Sequence, residues 1–330
     1  MGIKGKYQNH VVAITGAASG MGRSMALLLA KNGCAGLALA DYNADDLERT
    51  RQDIGDLCPV STHVLDVRNV KELERYRDEA VEAHKRISVL INNAGIAGLG
   101  TFEETSKEQY DRVLDIDFHS VVNCSRIFFP LLKAEKDAHL VAMCSVYGYY
   151  SNEDNSAYHA AKFAVRGWTE ATAAECSRYC PQIKVHCVHP GFTSTNIMKN
   201  AGYYAKMERE NAISLFDKLG LHTPDQAAMI ILDDVAANRL RILIGADAYM
   251  ADYLVRLVPA YYIQHHTFRA IYVVYAAITS WIAAKMRDYL GLGDYGALVV
   301  LLAGQAYGIR RLSQTVMMRL FPGLSQRAVR

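Results

Sequence analysis

Tyr158 and Lys162 stand four residues apart in Tyr-His-Ala-Ala-Lys, a spacing that puts both side chains on one face of a helix. An ammonium beside a phenol favours the phenolate, bringing a group that ordinarily titrates near ~10 toward the range of an acid–base catalyst. Ser145 closes an apolar run just upstream and offers a hydroxyl at the end of an expected strand. Near the start of the chain, Thr15-Gly16-Ala17-Ala18-Ser19-Gly20-Met21-Gly22 joins an apolar β-branched run to the apolar helix-like stretch 25–30. Glycines at such a turn let the backbone approach a pyrophosphate, and the start of the helix supplies amide donors and the positive end of its dipole. Asp41 ends the next apolar run, where a carboxylate can accept hydrogen bonds from ribose hydroxyls and repel a 2′-phosphate. No Lys or Arg immediately follows it, so NAD is expected in preference to NADP. A plain turn or helix-cap role for Asp41, ahead of Tyr42-Asn43, remains open at this point.

These groups need a scaffold that delivers them to one edge. Short apolar runs at 10–15, 36–40, 61–65, 87–92, 138–145, 183–189 and 241–245 read as strands. Between them, 44–54, 70–84, 107–131 and 157–179 carry helical patterning. Strands alternating with helices predict an α/β fold, a doubly wound parallel sheet of the Rossmann type, covered on both faces. In such sheets ligands bind at the C-terminal ends of the strands, which is where the glycine turn, Asp41 and Ser145 all fall.

Composition is that of an ordinary globular chain: 330 residues, 51% hydrophobic and 21% charged, with 36 basic and 34 acidic side chains for a net charge of +2. That balance gives no field to gather nucleic acid. From Pro259 onward there are eight bases against two acids. The seven cysteines (Cys34, Cys58, Cys124, Cys144, Cys176, Cys180, Cys187) are odd in number and scattered, which suits reduced thiols in a cytoplasmic protein. Cys176 and Cys180 could share a helix face, but without a His pair they make a poor zinc site, and no metal is expected. The N-terminal stretch lacks the long apolar core of a secretory leader.

The motifs together resemble the short-chain dehydrogenase/reductase family over residues 8–265. The resemblance is carried by the turn Thr15–Gly22, Asp66 after the third strand, Asn92-Asn93-Ala94-Gly95 after the fourth, Ser145, Tyr158-x-x-x-Lys162, and Pro190-Gly191 followed by Thr193 and Thr195. The stretches 163–167 and 241–248 are similar to a branch labelled acetoin or general alcohol dehydrogenases. The resemblance implies an NAD-dependent oxidoreductase in which Tyr158 moves a proton to or from the substrate oxygen. Lys162 would tune the tyrosine and hold the nicotinamide ribose, and Ser145 would bind the substrate oxygen. It also implies that Gly16, Ser19, Gly20, Met21, Gly22 and Asp41 bind the cofactor, with Asp66 and Val67 at the adenine. Asn92, Ala94 and Gly95 would line the cofactor, and Pro190, Gly191, Thr193 and Thr195 would flank the nicotinamide. Homodimers or homotetramers are common in the family.

One position departs from the family pattern. Where members usually carry an asparagine whose helix kink holds a proton-relaying water, Val113-Leu114-Asp115-Ile116-Asp117-Phe118 aligns Asp117. A carboxylate there could retain the relay and raise the pKa of Lys162, altering the pH profile; a buried, hydrogen-bonded helix residue is the plainer reading. Segments 96–102, 146–150 and 196–221 are expected around the substrate and bring Phe102, Tyr147, Tyr149, Tyr150, Met198, Tyr203, Tyr204, Met207 and Phe216. Such a lining suits a hydrophobic secondary alcohol or ketone, with a small α-hydroxyketone or a non-catalytic nucleotide-binding scaffold as alternatives. Beyond the dehydrogenase domain, 1–265, residues 266–330 carry two uncharged runs of about 15 residues, read as a helical hairpin. Each is short of the ~20 residues that span a bilayer. Peripheral membrane contact and packing on protein are both open for it.

Overall fold

In the computed structural model of the chain, residues 3–193, 202–203 and 222–257 are described, all within the first of two units, Met1–Pro259. The hairpin expected at 266–330 lies outside the described residues, as does Thr195. The fold is α/β, as the alternation of patterns predicts. The first half runs β1 (Val11–Thr15), α1 (Gly20–Lys31), β2 (Gly36–Asp41), α2 (Ala44–Ile54), β3 (Val60–Val64), α3 (Val70–His84), β4 (Val89–Asn92) and the short β5 (Gly98–Leu99). The second runs α4 (Lys107–Leu114), α5 (Ser120–Ala134), β6 (Ala138–Met143), α6 (Ser156–Tyr179), β7 (Ile183–Pro190), β8 (Gly202–Tyr203), α7 (Pro224–Ala236), β9 (Arg241–Ile244) and α8 (Ala246–Leu257). Seven strands form one parallel sheet in the order β3-β2-β1-β4-β6-β7-β9; β5 and β8 pair separately.

Strands covered on both faces need apolar side chains in both directions, and the runs VVAIT, GLALAD and AHLVAM supply them. Alternation sorts them into two cores. Val12, Ile14, Leu37, Leu39 and Ile91 pack with Met25 and Leu29 of α1, Leu47 of α2 and Ile231 of α7. Val11, Ala13, Ala38 and Leu90 face Leu73 and Tyr76 of α3, Phe128 and Leu132 of α5 and Cys176 of α6. Asn43 and Asn69 cap α2 and α3, and reciprocal capping boxes, Ser106 with Gln109 and Thr223 with Gln226, start α4 and α7.

The helix expected over 107–131 is interrupted. At Asp115–His119 it widens to a π turn, in which the Ser120 amide reaches back to the Asp115 carbonyl, and the helix then continues to Ala134. Strands β1 and β4 are neighbours while their onward connections run to opposite sides, so a crevice opens at their C-terminal ends. All seven cysteines are buried and unbridged. Among the described residues, no helix is long and apolar enough to cross a membrane.

Candidate active site

A cavity of about 440 Å³ opens at that crevice. Its cofactor-side wall is built from the first strand–helix turn. Gly16 has φ +68°, and a Cβ there would stand 2.8 Å from the Ala94 Cα. At Gly22 a Cβ would run into the Gly16 carbonyl. Only glycine allows this turn and helix α1 to close on each other and on the loop after β4. Ser19 is the N-cap of α1 but its side chain makes no capping bond, and Arg23 is the first amide to return to it. The preceding helix amides have no intrahelical partner and lie at the cavity wall formed by Ser19, Gly20 and Met21. This cradle fits the phosphates of a dinucleotide.

Asp41 ends β2, 7% exposed, with Oδ2 accepting from the Ala18 amide at 2.9 Å and Oδ1 from the Asn43 amide at 3.0 Å. It is therefore a turn-fixing residue and a cavity residue at once, since each carboxylate oxygen has a second lone pair. Burial raises its pKa, and the backbone donors pull it partly back. Leu65, Asp66 and Val67 continue the wall, with Asp66 paired to Arg68.

The opposite wall holds the proton-transfer groups. Ser145 follows β6, and its Oγ accepts from the Tyr147 amide at 3.2 Å. Tyr158 and Lys162, on the first turns of α6, are 8% and 4% exposed, and the Lys162 Nζ is 5.2 Å from the Tyr158 ring centre. The same Nζ donates to the Met143 carbonyl at 3.2 Å and lies 3.0 Å from Oδ2 of Asp117, which is fully buried in the π turn. The other Asp117 oxygen accepts the Ile96 amide at 2.8 Å. Oδ2 receives no aligned hydrogen bond, so its attraction to Lys162 is that of an ion pair.

Burial dominates the electrostatics here. It pushes the Tyr158 phenol up to about 12; Lys162 and a hydrogen bond with Ser145 pull down, while Asp117 pushes further up. Lys162 sits above its usual value: burial works against its charge, but the Asp117 and Tyr158 charges outweigh it. Asp117 is raised by burial, partly offset by Lys162 and the Ile96 amide.

A family model for short chain dehydrogenases matches residues 10–204. The chain belongs to the short-chain dehydrogenase family. It is 36% identical over 260 residues to the SadH protein of Mycobacterium tuberculosis, covering 78% of this chain and 93% of that one. It is 30% identical over 229 residues to the 3-oxoacyl-[acyl-carrier-protein] reductase FabG of Thermotoga maritima, covering 69% and 90%. Among solved structures, a short-chain dehydrogenase/reductase from Burkholderia phymatum in complex with NAD superimposes with a TM-score of 0.71 at 25% identity, covering 77% of this chain and 95% of that one. Levodione reductase gives 0.65 at 25% identity, covering 74% and 99%. As a short-chain dehydrogenase the protein is an NAD-dependent oxidoreductase acting on an alcohol–ketone pair.

Most of the residues singled out in the dehydrogenase motifs meet at this cavity: Gly16, Ser19, Gly20, Met21, Asp41, Asp66, Val67, Ala94, Gly95, Ser145, Tyr158, Lys162, Pro190, Gly191 and Thr193 all line it. Gly22 acts from behind, as the point of close approach. Asn92 does not reach the cavity: it is 2% exposed, and its amide donates to Ser125 Oγ at 2.9 Å, tying β4 to α5. Its neighbour Asn93 takes the position instead, donating to the Thr15 and Gly16 carbonyls at 3.1 and 2.9 Å.

Of the four expected aromatic lining residues that are described, one reaches the cavity. Tyr147 is on the wall, but Phe102 is 78% exposed, and Tyr149 is buried between the Arg166 guanidinium and the His189 ring. Tyr150 packs edge-on against Tyr147. Met198, Tyr204, Met207, Phe216 and the Tyr203 side chain lie outside the described residues. Ile96, Ala97, Leu99, Ile116, Val146 and Phe192 supply apolar wall in their place. Asp247 was missed in the motif reading. Its Oδ2 accepts the Phe192 amide at 2.7 Å, and a Cβ on Gly191 would collide with its carboxylate, so it fixes the Pro190–Gly191–Phe192 turn. The only sequence sign of this was its place in the 241–248 stretch.

Proposed function

We propose that the protein interconverts a hydrophobic secondary alcohol and its ketone with NAD(H), using Tyr158 as the general acid and base. The observation that carries this reading is the meeting, in one cavity, of a buried phenol, its ammonium partner and the Ser145 hydroxyl with the glycine cradle and Asp41. Bound nicotinamide supplies or accepts the hydride. The chain's own residues handle the oxygen and its proton. Ser145 donates to the carbonyl oxygen and orients it; Tyr158 delivers its proton to that oxygen in reduction and recovers it in oxidation. With its phenol pushed up to about 12, Tyr158 is protonated at neutral pH, the form that reduction requires. Lys162 favours the phenolate formed on proton delivery, and Asp117 holds Lys162 charged while opposing that same phenolate.

Asp41 supports NAD over NADP, because a buried carboxylate at the end of β2 meets a 2′-phosphate with like charge. The apolar wall around Ile96, Ile116, Val146, Tyr147 and Phe192 supports a hydrophobic substrate. The test is oxidation of NADH and NADPH by the purified full chain against small diketones, aryl ketones and steroid-like ketones, with Tyr158→Phe alongside. Turnover of bulky ketones with NADH, lost in the variant while NADH binding persists, is the expected result. Turnover confined to small hydroxyketones would overturn the hydrophobic pocket, and full activity in Tyr158→Phe would overturn the mechanism.

A further inference from the structure

We propose that His10, Asp137 and His139 form a binding site for a divalent zinc-type cation at the N-terminal edge of the sheet, opposite the dehydrogenase cavity. His10 precedes β1, Asp137 precedes β6, and His139 is the second residue of β6. Their ligand atoms lie within 4.8 Å of one another. The His10 Nε2 is 3.9 Å from Oδ2 of Asp137, and the His139 Nε2 is 3.9 Å from Oδ1 of the same carboxylate. Both separations are too long for a hydrogen bond. They are close to the roughly 3.3 Å expected between neighbouring ligands of a tetrahedral zinc with bonds near 2.0–2.2 Å. Asp137 is 63% exposed, so its side chain is free to close the remaining few tenths of an ångström, and the site opens to solvent for entry.

The hydrogen-bond network leaves the His139 Nε2 bare. The Arg239 carbonyl can only accept, so His186 carries its proton on Nδ1, which donates to it at 2.7 Å. The neutral His186 ring then accepts at Nε2 from the His139 Nδ1, 2.9 Å away, which makes the His139 Nε2 an unprotonated lone pair. On His10, Nδ1 lies 3.0 Å from Ser88 Oγ, and the tautomer with its proton on Nδ1, donating to that oxygen, leaves the Nε2 free for a metal as well. Fixing one ring nitrogen by a hydrogen bond while the other faces the metal is the usual support for a histidine ligand. The two imidazole rings stand edge to face with centroids 5.6 Å apart, which brings both within reach of the one carboxylate. Two imidazoles and a carboxylate form a borderline donor set suited to Zn²⁺ or Co²⁺, with a fourth position left open toward solvent. Such an ion would clip the N-terminal segment, already held through Tyr7 to the Leu232 carbonyl, onto the central strands.

The test uses the untagged, reduced full chain, stripped with a chelator and titrated with Zn²⁺ by calorimetry and with Co²⁺ by visible absorption. One equivalent is expected, with a raised Tm and without the charge-transfer band of a cobalt thiolate. Asp137→Asn and His10→Gln should each weaken binding at least tenfold, whereas Cys187→Ala should leave it unchanged. NADH binding, made at the other edge, reports that each variant is folded. Absence of binding at about 100 μM metal, equal binding in the Asp137 and His10 variants, or loss in Cys187→Ala would overturn the proposal. The last result would assign the metal to the buried grouping of Cys144, Cys187 and His189 instead.

Discussion

Replacing Asp117 by Asn should move the pH dependence of the reaction to lower values. The Lys162 Nζ is 3.0 Å from the Asp117 carboxylate and 5.2 Å from the Tyr158 ring centre, which places the carboxylate within about 8 Å of that ring. At an effective dielectric of ~20, a unit charge at ~8 Å is worth ~2 kcal/mol, or about 1.5 pKa units. The sign is fixed by charge: the anion opposes the tyrosinate, and a neutral amide of the same shape removes that opposition. In Asp117→Asn, the rising limb for alcohol oxidation, which requires tyrosinate, should shift down by about 1–1.5 units. Ketone reduction, which requires the phenol, should begin to fall correspondingly earlier. The assay is kcat/KM against pH in both directions on the best ketone–alcohol pair, with NADH binding as a check on folding. Adding Lys162→Met should move the limb back up, because it removes the ammonium that favours the tyrosinate. A limb that stays within about 0.3 units of the parent, or rises, refutes the electrostatic account.

Tyr158→Phe removes the only proposed proton donor to the substrate oxygen. It should lower kcat by at least about a thousandfold, with NADH affinity within about twofold by fluorescence titration. Asp41→Ala loses the proposed ribose acceptors and the bonds to the Ala18 and Asn43 amides; Kd for NADH should rise roughly tenfold or more, and preference over NADPH should narrow. Gly22→Ala forces a methyl against the Gly16 carbonyl, so a loss of about 1–3 kcal/mol by denaturant titration is expected together with weaker NADH binding; unchanged values would show that the turn can spread. Asp247→Ala should raise KM for cofactor more than it lowers kcat, since it releases the Pro190–Phe192 turn without touching the proton-transfer groups.

The sheet and its edge were legible because parallel strands covered on both faces must be apolar in both directions. What escaped had physical reasons. One wide turn within a continuous helical pattern leaves no mark in the spacing of apolar residues, so periodicity read Asp115–His119 as ordinary helix and only the family resemblance pointed to a kink at Asp117. The Asn92 and Asn93 exchange was readable in principle. Leu90 packs toward α5 and Ile91 toward α1, so strand parity sends Asn92 to the α5 side, and Asn93 next to it toward the glycine turn. Aromatic identity does not encode direction, which is why Phe102 and Tyr149 were expected in a cavity that neither lines. His10 and His139 are separated by most of the first half of the fold; only the pairing of β1 with β4 and β4 with β6 brings them together.

The π turn also sets the phase of the chain on either side of it. An inserted residue rotates the remainder of a helix by about 100°, and here that rotation lets α4 and α5 present different faces while the carboxylate of Asp117 points inward. Removing one residue between 107 and 134 would let the helix relax to a regular ladder with better hydrogen bonds. It would also swing Val121, Cys124 and Phe128 off the sheet or turn Asp117 away from Lys162. The segment is thus a frame-locked element: its length cannot drift by a single residue without the core or the active site losing register.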